Sequence, residues 1–135
     1  MITTSSELTL SLATAFGLYM IAGGLSGILA RERWVAIIDD LDAHAALTFF
    51  GGILAFVTGV AIVLAHNIWT DSLAGFISLV GWVAAVEGLL GIAFPKALLS
   101  LASAMARPRL MTAFAYGTTA LGALLTLIGL TGTVG

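Results

Sequence analysis

Few residues in this chain could do chemistry, and one of them stands apart. Glu87 is the single carboxyl inside a long apolar stretch, in the run Trp82-Val-Ala-Ala-Val-Glu87-Gly88. If that stretch is a helix ending at Phe94, helical rise sets Glu87 about 10 Å from the end. An ionisable group at membrane depth is a functional-site hypothesis in itself, because loss of hydration favours the protonated acid and brings proton exchange within reach. The plain alternative is a protonated acid hydrogen-bonded to a neighbouring helix, for which Ser26, Thr48, Thr112 and Tyr116 are the depth-matched partners. That structural role is the expectation, with proton or cation handling as the alternative.

Three further residues, His66, Asn67 and Trp69, fall together in the short polar turn His66 to Asp71. A tryptophan at a membrane boundary is an interfacial anchor, and a His-Asn pair can cap the end of a helix as the turn closes. Capping is the expectation, an external binding site the alternative. Asp39, Asp40, Asp42 and His44 include a pair, Asp40 and His44, spaced to share one helical face and hold a cation. The triple acid reads more simply as a solvated face, and no metal site is expected. His44 and His66 cannot join forces, since the helix between them holds them about 33 Å apart, which also argues against a bis-histidine haem.

Of the 135 residues, 60% are apolar and 9% charged, with mean hydropathy +1.13 and no cysteine. Soluble domains carry about 25% charged residues, so this composition cannot coat a water-facing surface, and an integral membrane protein follows. The net charge of −2 leaves no basic surface for nucleic acid. The absence of cysteine removes disulfides, thiolate metal sites and cysteine nucleophiles together. No nucleophile and base stand at a spacing that suggests an enzyme, and no cofactor motif is present.

A bilayer crossing needs about 20 mainly apolar residues, and four windows meet that length: 8–30, 45–65, 72–94 and 110–130. Barrel strands would instead alternate over about ten residues. The chain is thus an all-α membrane protein, one four-helix transmembrane domain over 1–135. The segment before the first crossing has no Lys or Arg, which predicts a retained helix and not a signal peptide. All five basic residues lie in two loops: Arg31 and Arg33, then Lys96, Arg107 and Arg109. The positive-inside bias places both loops in the cytoplasm and predicts an N-out, C-out arrangement. Both loops carry apolar residues at helical spacing, Trp34 to Leu41 and Leu98 to Met105, and read as short amphipathic interfacial helices. The second is set off at Pro95.

Sliding the sequence on itself gives one good offset, 64 residues: Gly17, Gly24, Leu25, Gly27 and Ile28 meet Gly81, Gly88, Leu89, Gly91 and Ile92. This predicts parallel repeats, about 6–66 and 70–132, each a helical hairpin, related by a pseudo-two-fold along the membrane normal. The second and fourth crossings match only after a two-residue slip that sets Gly51 on Gly117. Small residues let membrane helices approach closely. Gly23 and Gly27, Gly51 and Gly59, Gly88 and Gly122 are the expected packing positions. With small faces on every helix, contacts between copies or with a larger membrane complex are expected as well.

Through Gly23, Gly24, Asp40, His44, the His66-Asn67-x-Trp69 turn, Gly81, Trp82, Gly88 and Pro95, most of the chain resembles small uncharacterised bacterial four-helix inner-membrane proteins. The resemblance implies a bacterial inner-membrane location and brings no activity or cofactor. The function expected from the sequence is a non-enzymatic scaffold or accessory subunit in the bilayer. The alternative is a small oligomeric channel or transporter that uses Glu87.

Overall fold

The computed structural model describes residues 3–4 and 6–135; residues 1, 2 and 5, part of the segment without Lys or Arg before the first crossing, lie outside it. The elements are β1 (Thr3–Thr4), α1 (Glu7–Leu29), α2 (Arg31–Ala43), α3 (Ala45–Ala65), α4 (Ser72–Ala93), α5 (Pro95–Met105), α6 (Pro108–Thr131) and β2 (Thr133–Val134). α1, α3, α4 and α6 are long and apolar enough to cross a membrane. The molecule is an α-helical protein of multi-pass membrane character.

Local chemistry sets the helix ends. Ser6 caps α1 by accepting from the Thr9 N–H at 3.3 Å, and Asp71 caps α4 by accepting from the Ala74 N–H at 2.9 Å; both supply the side-chain oxygen that the orphan first-turn donors need. Pro95 and Pro108 open α5 and α6 in the first helical turn, where a missing N–H costs nothing. At the chain ends, Thr3 and Thr4 pair in parallel with Thr133 and Val134, fastening the start of α1 to the end of α6.

The four long helices associate as two close pairs, α1 with α6 and α3 with α4. Each pair is antiparallel and sealed by glycine against backbone. A Cβ built on Gly17 would lie 2.7 Å from the Gly122 carbonyl oxygen, and one on Gly122 would lie 2.7 Å from that of Gly17. In the other pair a Cβ on Gly52 would meet the Gly88 carbonyl oxygen at 2.9 Å, and one on Gly88 that of Gly52 at 2.6 Å. Real Cβ atoms do not come so near, so only glycine permits these crossings.

The pairing corrects the expected hairpins. The close partners join the first half of the chain to the second: α3 and α4 are consecutive, and α1 and α6 are the chain's outermost long helices. Two expected packing glycines also move. Gly23 and Gly51 have open space where a Cβ would stand, and the seam positions are Gly24 and Gly52, one residue later. Adjacent glycines present the same composition, and only the helix's rotation decides which one faces its partner. Gly27 packs on the Ala115 methyl, while Gly59, Gly88 and Gly122 lie against facing backbone.

The neighbours themselves recur along the chain. Gly24 meets Ala115 and Thr119, and Gly88 meets Gly52 and Phe56; Gly122 meets Gly17, Met20 and Ile21, and Gly59 meets Gly81, Ala84 and Ala85. One set becomes the other by a step of 64 residues between α1 and α4 and of 63 between α3 and α6. The expected slip setting Gly51 on Gly117 is therefore replaced by one that sets Gly59 on Gly122; Gly117, like Gly51, faces open space.

The two pairs meet toward the end of the molecule that carries the chain termini. Ala13, Leu73, Ile77 and Leu125 form the buried cluster there, with Phe16, Phe76, Met20 and Ile62 packed around it. This is a thin core, as expected where lipid and not water surrounds the helices and apolar side chains face outward without penalty.

Candidate functional site

Two places bring polar side chains together or leave one alone. The first is the turn after α3. Helix α3 stops at Ala65; the His66 N–H still bonds the Ile62 carbonyl at 2.6 Å, and residues 67–70 run outside any helix beside the opening turns of α4. Buried backbone polar groups outside a helix need partners, and Ser78 supplies them. Its hydroxyl lies 2.9 Å from the Ile68 N–H, 2.8 Å from the Ile68 carbonyl and 3.1 Å from the His66 carbonyl.

His66 is fully buried, with Nδ1 3.1 Å from Ser78 Oγ and Nε2 2.7 Å from Thr9 Oγ1. Ser78 has one proton to share among these acceptors and takes the Ile68 N–H as an acceptor itself. Thr9 Oγ1 pairs with His66 Nε2 on one side and with Ser6 Oγ, 3.0 Å away, on the other. Both ring nitrogens are thus used, tying α1 to the α3–α4 turn. A second tie lies beside it, where Thr4 donates to the Asp71 carboxylate at 2.9 Å.

Asn67 is exposed, and its carbonyl oxygen accepts from the indole N–H groups of Trp69 at 2.7 Å and Trp82 at 3.3 Å. The three expected turn residues are thus brought together, but their imidazole is sealed from outside and cannot meet an external ligand. The sequence reading missed Thr9 and Ser78. Their only signal is a polar residue on an otherwise apolar face, and threonine and serine often satisfy themselves on their own helix.

The second place is Glu87, on an outward face of α4. It opens into a groove of about 580 Å³ between α4 and α5, lined by Trp82, Val83, Val86, Leu98, Leu101 and Met105 among others. None of its four expected partners reaches it. Ser26 accepts from the Trp34 indole at 3.1 Å; Thr48 donates to the Leu41 carbonyl at 2.7 Å; Thr112 donates to the Pro108 carbonyl at 2.8 Å and accepts from Arg31 at 3.4 Å; Tyr116 is exposed. These groups are held by α1, α2, α3 and α6, whereas Glu87 points away from the bundle. Among the described residues Glu87 has no hydrogen-bond or ion-pair partner.

The acidic loop gathers no ligand set: among the described residues no group of three or more His, Asp or Glu could hold a metal. His44 Nδ1 instead bonds the Asp40 carbonyl at 3.0 Å, closing the end of α2. Comparison with family models, curated proteins and solved structures finds no match to this chain.

Proposed function

We propose that the protein is a non-enzymatic scaffold or accessory subunit of the bacterial inner membrane, with both termini and the His66 turn outside and α2 and α5 lying in the cytoplasmic interface. The two halves, α1–α3 and α4–α6, are duplicated units about a pseudo-two-fold along the membrane normal. The recurrence of the glycine neighbours at steps of 64 and 63 supports the duplication.

The observation that carries the scaffold reading is the fate of the polar groups. The buried ones, Thr4, Thr9, Thr48, His66 and Ser78, are committed to bonds within the protein. The helix pairs are closed backbone to backbone, and Glu87, the one acid of the long helices beyond their first turns, faces outward. A single copy so built offers an outer surface for assembly and, among the described residues, no file of free polar groups through its middle. The test is reconstitution together with mass measurement. In mild detergent the protein should run as a species larger than one chain, and in proteoliposomes it should carry no proton or cation current. A pH-dependent current that Glu87→Gln abolishes would overturn the reading in favour of an oligomeric channel or transporter.

A further inference from the structure

The α4–α5 groove has a counterpart in the first half of the chain, and the two differ in a telling way. By the 64-residue step, Glu87 stands where α1 has Gly23, Leu90 where it has Ser26, and Leu98 where α2 has Trp34. In the first half an indole occupies the junction: the Trp34 ring lies against Gly27, its Nε1 3.9 Å from a Cβ built there, and its N–H is bonded to Ser26. In the second half Leu98 also reaches the matching glycine, its Cδ2 3.5 Å from a Cβ built on Gly91, but it is smaller than an indole, Ser26 has no polar equivalent, and a carboxyl stands where α1 has Gly23. The result is an apolar groove of about 580 Å³ holding one acid without a partner.

That volume falls within the range of small-molecule sites, about 300–1,000 Å³. The walls supply no donor to Glu87, since the only indole lining the groove, Trp82, is directed to Asn67. A cation set against Glu87 favours its carboxylate over the protonated acid, so an occupant that uses this acid brings positive charge, and the apolar walls suit an apolar body. A second copy cannot supply that charge at the depth of Glu87, because all five Lys and Arg residues sit at the ends of the long helices or in the α2 and α5 segments. Trp82 beside the acid adds a π face suited to a cation.

We infer that the α4–α5 groove binds a small lipophilic organic cation, its charge against Glu87 and its apolar body between Trp82 and the Leu98–Met105 face of α5. This goes beyond the scaffold reading and stands or falls separately from it, because the test reads ligand binding and not assembly.

Two ions of the same shape and opposite charge provide that test: tetraphenylphosphonium and tetraphenylborate, measured by equilibrium dialysis against the purified chain in a neutral detergent. The phosphonium should bind saturably, once per chain, and the borate should not. Glu87→Gln should weaken phosphonium binding about tenfold or more. Leu98→Trp, which restores the indole of the first half and keeps the acid, should abolish it. Equal binding of the two ions, or binding by Glu87→Gln equal to that of the wild type, would overturn the inference. Should Glu87→Gln not yield folded protein, the comparison of ions and the Leu98→Trp variant still decide.

Discussion

Ser78 shows how much a single hydroxyl can carry where water is absent. It answers the Ile68 N–H, one carbonyl of the turn and the His66 ring together, so its removal orphans three groups at once. Leaving a buried donor or acceptor unpaired costs about 1–3 kcal/mol. Ser78→Ala should therefore lower the melting temperature in detergent clearly, whereas Ser11→Ala, on the neighbouring helix, should leave it within error. His66→Ala should match or exceed the loss, since it also frees Thr9 and opens a cavity. His66→Asn should recover little, because its short amide cannot span from Ser78 to Thr9. Equal melting of Ser78→Ala and wild type would mean that the turn is held by other contacts. The sequence placed His66, Asn67 and Trp69 in one polar turn, and that much is legible from the break in apolarity. What it could not deliver was direction. The imidazole turns inward because Thr9, 57 residues away, meets it, and no local pattern records a partner at that distance. Glu87 is the converse case: its depth could be read from the chain, but its side of the helix depends on how α4 rotates against α3.

Among the elements, the helix pairs rest on a rule that composition states only loosely. Glycine-rich helices pack closely, yet the chain holds 16 glycines, and the seams use only part of them. The seam of α1 runs through Gly17 and Gly24, that of α4 through Gly81 and Gly88, each seven residues apart and so on one helical face. A bulky residue at the seam must push two backbones apart; the same residue one position away meets only lipid. Gly24→Leu and Gly88→Leu should therefore abolish folded protein or lower its melting temperature steeply, by the overpacking cost of about 1–3 kcal/mol or more. Gly23→Leu and Gly51→Leu should be borne with little change in a single copy. The measurement is thermal unfolding of the purified variants, followed by size exclusion. Loss of an oligomer in Gly23→Leu with no change in melting would move that open face from lipid contact to contact between copies. The ends of the long helices were legible to within two residues, because Ser6, Asp71 and Pro108 are end signals with local causes, whereas α2 begins three residues before the expected Trp34 and α5 three before Leu98. The rotation of each helix was not, because two adjacent glycines differ in role by only about 100° of turn.

Taken whole, the molecule is a pair of pairs, and its connectivity makes a demand that its helices do not. The termini are fastened to one another by the Thr3–Thr133 and Thr4–Val134 pairing, which puts both on the same side of the molecule as the His66 turn. If the basic loops lie inside, as proposed, single cysteines at Asp39 and Thr70 should label oppositely with an impermeant thiol reagent in spheroplasts, position 70 reacting and position 39 protected; the reverse pattern would invert the topology. A sharper consequence follows from which helices touch. In the first half, α1 and α3 are not close partners; each packs against a helix of the second half, α6 and α4. Neither half can close its own glycine seam, although each carries the complete set of elements for a repeat. Cutting the chain between Trp69 and Thr70 leaves every long helix intact and removes only one covalent link. Co-expressed fragments 1–69 and 70–135 should then assemble in the membrane and co-purify through a tag on either one, because the α1–α6 and α3–α4 seams need no continuous chain. Gly24→Leu together with Gly88→Leu should break that assembly, since each blocks one seam. A fragment expressed alone should be degraded or should pair with itself, its α1 seeking the α3 of another copy. A stable, folded, monomeric fragment 1–69 would be incompatible with seams that run only between the halves.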